Sequence, residues 1–139
     1  MEDVSRNMSS ETRKPRASRP DAGLRWAGRI LFMTAIVLIA DIALQPGHAT
    51  PPRLFGSDKI EHILAFMTLM FVARMGWPRQ SVYLSGFVVL GYGILIEALQ
   101  ATQWIGRTAS VADVLADLVG LLFGLFLYTI LRRLSARHG

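Results

Sequence analysis

The chain has 139 residues, 52% of them hydrophobic, and a mean hydropathy of +0.37, which excludes an ordinary soluble domain and points to one membrane-embedded domain. It has no cysteine, so neither a disulfide frame nor a thiolate metal site can form. A net charge of +5 would suit a nucleic-acid partner in a soluble protein, but here the basic residues flank apolar runs, so topology accounts for them and no nucleic-acid partner is expected.

Residues 1–23 are polar and rich in Arg, Ser and Pro, with no apolar periodicity, and read as a disordered basic tail. The first predicted span covers 24–45, an apolar run with Asp41 near its far end. A basic region before an apolar run also describes a signal peptide, but this run is long, contains an acid and is followed by further spans. Pro46, Gly47, Pro51 and Pro52 then end the helix and make a rigid link. A second span is predicted over 58–77, opening Asp58-Lys59-Ile60-Glu61-His62 and closing with Arg74 and Pro78. The third, 81–100, carries one acid, Glu97, and the fourth, 110–132, leads into a basic tail, 133–139. Each run is about the length that crosses a ~30 Å hydrocarbon core. The expected fold is an all-α membrane protein, four transmembrane helices in a bundle.

Lys and Arg in the flanks set the orientation. With the N-terminus inside, twelve fall on the inner side and three (Arg53, Lys59 and Arg107) on the outer. Both termini are therefore expected in the cytoplasm. On this topology Asp41, Asp58, His62, Glu97, Asp113 and Asp117 all gather toward the outer face. Ionisable groups inside spans are expensive and usually face a bundle interior or a water-filled site.

At roughly 100° per residue, Asp113, Asp117, Gly120 and Gly124 share one helical stripe. Glu97, Gly93 and Gly86 make another, and Asp58, His62, Ala65 and Leu69 a third. Small residues beneath an acid let helices approach closely, so Gly86, Gly93, Gly120 and Gly124 are read as packing positions. The acids then point inward, into an outward-facing polar pocket. Capping competes with this reading at Asp58 and Glu61, and at Ser110-x-x-Asp113, which fits a capping box. His62, Glu97 and Asp117 are not caps. Trp26, Trp77 and Trp104 suit interfacial anchors.

His62 with Asp58 one turn before it resembles an oriented imidazole able to move a proton, and Glu97 supplies a second carboxyl. An enzyme would use these three as its catalytic set. A binding protein would use Lys59 and Arg107 to hold an anionic head group, and the carboxylates to recognise amines or hydroxyls. A third reading is a structural subunit whose polar residues only lock the bundle. A His among carboxylates can also hold a divalent metal. The His-Glu-x-x-His motif is absent, however, as are a Gly-rich phosphate loop and a Gly-x-Ser-x-Gly elbow, and no cofactor is expected.

Three segments, DKIEHILAF, IEALQ and RTASVADVLADLVG, resemble in this order the motifs of the VanZ-like family. That pattern is Asp-Lys-x-x-His, then Glu-x-x-Gln, then Arg-x-x-Ser/Thr-x-x-Asp followed by Asn/Asp-x-x-Gly. It covers about residues 30–131 and carries over to Asp58, Lys59, His62, Glu97, Gln100, Arg107, Ser110, Asp113, Asp117 and Gly120. Many relatives have Asn where this chain has Asp117. The resemblance implies a multi-pass protein of the bacterial cytoplasmic membrane with an envelope-related role. It also implies a link to glycopeptide resistance, since a founding member is associated with resistance to teicoplanin. Membrane lipids and a lipid-linked envelope precursor are the partners it suggests.

Overall fold

A computed structural model describes residues 22–45, 55–102 and 110–137. Among these residues there are four helices and no strand: α1 (Ala22–Ala43), α2 (Asp58–Gly76), α3 (Val82–Gln100) and α4 (Val111–Arg137). In hydrocarbon each backbone N–H and C=O must be paired internally, and a helix does this within one segment. Helix α1 opens at Ala22, so the tail expected over 1–23 ends slightly earlier, and residues 1–21 lie outside the described set. Helix α4 runs on to Arg137, past the span expected to end at 132.

Among the described residues three helices are long and apolar enough to cross a membrane: α1, α3 and α4. Helix α2 differs because Asp58, Lys59 and Glu61 occupy its first turn and Arg74 its last. It is nevertheless as long as α3, at 19 residues, or about 28 Å at 1.5 Å per residue. Its place in the bundle explains its charges. Helix α2 packs most extensively on α4 and next on α1, so it is the central element rather than a lipid-facing one.

The bundle is polar within and apolar without. Arg74, Ser85, Glu97, Gln100, Asp113 and Asp117 are buried beside a core of Phe66, Leu69, Met70 and Val89. Phe87, Ile94, Leu122, Phe123 and Phe126 are exposed. A soluble fold would hide the second group from solvent; in lipid they need no cover.

Close approach fixes the helix pairs. A Cβ on Gly120 would run into the backbone of Ile63, and one on Gly124 into that of Met67, so α4 lies against α2 along its small-residue stripe. Gly93 leaves room for the Asp117 carboxylate and the Phe66 ring. Gly86 does not pack: a Cβ there would meet nothing within 4 Å, which corrects its assignment as a packing position. At that end of α3 the buried positions are Ser85 and Val89, and Gly86 lies beside them. A contact that helical stripes of acids could not reveal joins Gly28 of α1 to Gly76 of α2, backbone against backbone. Arg29 reinforces it, donating from Nε to the Gly76 carbonyl at 3.2 Å and lying over the Trp26 and Trp77 rings.

Candidate functional site

The N-terminal turns of α2 and α4 and the C-terminal turn of α3 come together at one end of the bundle. His62 stands one turn into α2, its ring near-parallel to that of Phe66. Its Nδ1 lies 2.7 Å from Oδ1 of Asp117 on α4. With that carboxylate ionised and the imidazole neutral, Nδ1–H donates and Nε2 keeps the lone pair. The carboxylate that orients the imidazole therefore comes from another helix, not from Asp58 one turn earlier as the sequence suggested. Asp58 is half-buried in the first turn of α2, at the same end.

Glu97 is buried on α3, and its Oε2 accepts a 2.8 Å hydrogen bond from the backbone N–H of Ser110, just before α4. In a capping box Asp113 would take that N–H. Here an acid of a neighbouring helix does so, placing negative charge where the α4 dipole favours it. Asp113 turns instead toward α2, where Lys59 Nζ stands 3.5 Å from its Oδ1. At that separation the two form an ion pair without a hydrogen bond. Lys59 is thus drawn to a carboxylate.

Gln100 is buried at the end of α3. Its Nε2 donates to the Ala43 carbonyl at 2.9 Å and ties α3 to the end of α1. Tyr92 makes a similar tie, its hydroxyl donating to the Ile36 carbonyl at 2.6 Å. Asp41 is exposed, unlike the buried acids. Arg107 and Trp104 lie outside the described residues.

One feature sets these acids apart from ordinary buried polar groups. Glu97 Oε1, Asp113 Oδ1 and Asp117 Oδ2 are buried and accept no hydrogen bond among the described residues. Buried polar atoms are nearly always paired, and each exception calls for a cause. All three are acceptors.

The opposite end carries a different polar group, which sequence reasoning counted only as a flanking charge. Arg74 is buried near the end of α2. Its Nη1 donates to the Gln80 carbonyl at 2.7 Å and to Ser85 Oγ at 3.2 Å, and its Nη2 to the Pro78 carbonyl at 3.3 Å. Its place just before Gly76-Trp77-Pro78 was the available signal: a fork of donors facing the free carbonyls of a helix end. A cleft of about 320 Å³ opens beside it, lined in part by Tyr128, Arg132 and Arg133.

The model of the VanZ/LLP1 family matches residues 5–132. No curated protein and no solved structure matches the chain.

Proposed function

The chain belongs to the VanZ/LLP1 family, and from that premise we propose that it is a four-span envelope protein of the bacterial cytoplasmic membrane whose acidic end faces outward. There it binds the head group of a lipid or lipid-linked molecule. The carrying observation is the set of buried, unfilled acceptors on Glu97, Asp113 and Asp117. A network that served only to lock the bundle would fill its own acceptors, since an unsatisfied buried group costs about 1–3 kcal/mol. These oxygens suit a ligand that brings donors or positive charge, such as an amine or hydroxyls. That favours the carboxylates as the recognition groups over Lys59, which already faces Asp113. His62, held by Asp117, is the group able to move a proton if the bound molecule is also modified.

The test uses the full chain in nanodiscs containing phosphatidylethanolamine and phosphatidylglycerol, with retained lipid measured by native mass spectrometry. The wild type should hold phosphatidylethanolamine in preference, and a Glu97→Gln, Asp117→Asn variant of comparable thermal stability should lose that preference. Equal retention by both proteins would contradict the reading. For orientation, a reporter after Gly139 should be cytoplasmic and one within 46–54 external; the reverse would turn the site to the other face.

A further inference from the structure

His62, Glu97 and Asp113 come from three different helices, yet each brings a ligand atom within 4.8 Å of the others. Around Zn2+ or Mn2+, donors held at about 2.0–2.2 Å from the ion sit roughly 3–4 Å apart. The trio needs only a small contraction to reach that spacing.

Charge points the same way. Glu97, Asp113 and Asp117 are 5%, 7% and 1% exposed. Among the described residues the cation seen against them is Lys59, whose side chain is 56% exposed. Like charges gathered in a low-dielectric interior need compensation, and a divalent ion supplies more of it than one solvated ammonium. Glu97 Oε1 and Asp113 Oδ1 are buried acceptors without hydrogen bonds. The third acid, Asp117, has the matching role. A metal-bound imidazole characteristically gives its other ring N–H to a carboxylate, and the 2.7 Å contact between His62 Nδ1 and Asp117 leaves Nε2 for an ion.

We propose that His62, Glu97 and Asp113 bind one divalent transition-metal ion, Zn2+ or Mn2+, with Asp117 as the positioning residue for His62. One imidazole with two carboxylates suits these ions better than Mg2+ or Ca2+, which take oxygen alone. Three protein ligands leave a coordination position for an oxygen of a bound head group. The proposal rests on the reading above that this end of the bundle receives positive charge, and it names the source of that charge.

The experiment takes tag-free full-length protein in nanodiscs, strips it with chelator and titrates it with Zn2+ or Mn2+. Elemental analysis should find one ion per chain, and the unfolding temperature should rise on loading. Asp113→Asn and Glu97→Gln should each abolish stoichiometric binding. Asp117→Asn should still bind one ion, about 10–100-fold more weakly. Asp41→Asn, at an exposed position outside the site, should bind as the wild type does. X-ray absorption on the Zn2+-loaded wild type makes the result independent of variants that fold poorly. It should show nitrogen and oxygen neighbours with a single imidazole, and a shell of water alone would overturn the proposal. So would equal binding by the wild type and Asp113→Asn. Phosphatidylethanolamine retention is measured in parallel on the chelated protein. Retention there without metal binding overturns the metal and leaves the head-group reading standing; loss of both overturns the two together.

Discussion

The two ends of the bundle each bury charge, and they treat it in opposite ways. At one end Arg74 sits among the carbonyls of Pro78 and Gln80 and the hydroxyl of Ser85, and its guanidinium closes the α2–α3 turn. Its Nε alone has no partner. At the other end Asp117 orients His62, Glu97 caps α4, and each of the three buried acids still has an oxygen that accepts nothing. The basic end uses its polar groups to hold the chain in shape. The acidic end has acceptors left over once the chain is in shape. Burial alone therefore does not mark a site; three unfilled acceptors gathered from two helices at one end do.

The largest effect should come from separating the helices that join the two ends. Gly120→Leu sets a side chain against the backbone of Ile63, which cannot yield as a flexible side chain would. The variant should fail to accumulate in membranes, measured by quantitative immunoblot. Gly91→Leu and Gly86→Leu, where a Cβ meets nothing within 4 Å, should accumulate nearly as the wild type does. Equal loss at all three positions would mean that α4 does not rest on α2 along this stripe.

Arg74→Ala comes next. It removes the donors for the Pro78 and Gln80 carbonyls, and losses of about 1–3 kcal/mol for each group left unpaired predict a large fall in thermal stability. Head-group retention by whatever fraction remains folded should be unchanged. If Arg74→Ala were stable yet lost retention, the roles assigned to the two ends would be reversed.

At the acidic end, truncation and isosteric replacement should part company. His62→Ala strands the Asp117 carboxylate, and a buried acceptor left unpaired costs about 1–3 kcal/mol or more. Glu97→Gln keeps the volume and an oxygen for the Ser110 N–H, so its unfolding temperature should stay close to that of the wild type while retention falls. A Glu97→Gln protein with full retention would leave this carboxylate only its capping role.

What the sequence made legible was whatever repeats along a single helix. Asp113, Asp117, Gly120 and Gly124 share a stripe by periodicity, and all four are buried. Partners across helices were harder to read. The acid one turn before His62 on its own helix is Asp58, but the hydrogen bond goes to Asp117, fifty-five residues away, because the close α2–α4 approach brings α4 within reach. Gly86 and Gly93 share a stripe as well, yet a Cβ meets neighbours at Gly93 and nothing at Gly86, beside the buried Ser85 and Val89. Gln100 belongs to a family motif, which says nothing about whether its amide meets a ligand or, as here, the Ala43 carbonyl. Gly28 and Gly76 had no acid nearby to draw notice, although the adjacent Arg29 and Trp77 were a usable signal.

The central claim is that the acceptors of Glu97, Asp113 and Asp117 wait for something other than the protein itself. An experimental density map of the wild type, purified with its native lipids, tests this most directly. The account predicts non-protein density within hydrogen-bonding or coordination distance of Glu97 Oε1 and Asp113 Oδ1. A map in which Arg107 or another residue of 103–109 fills those oxygens, with no other density there, would make the acidic end a lock like the basic one and contradict the account.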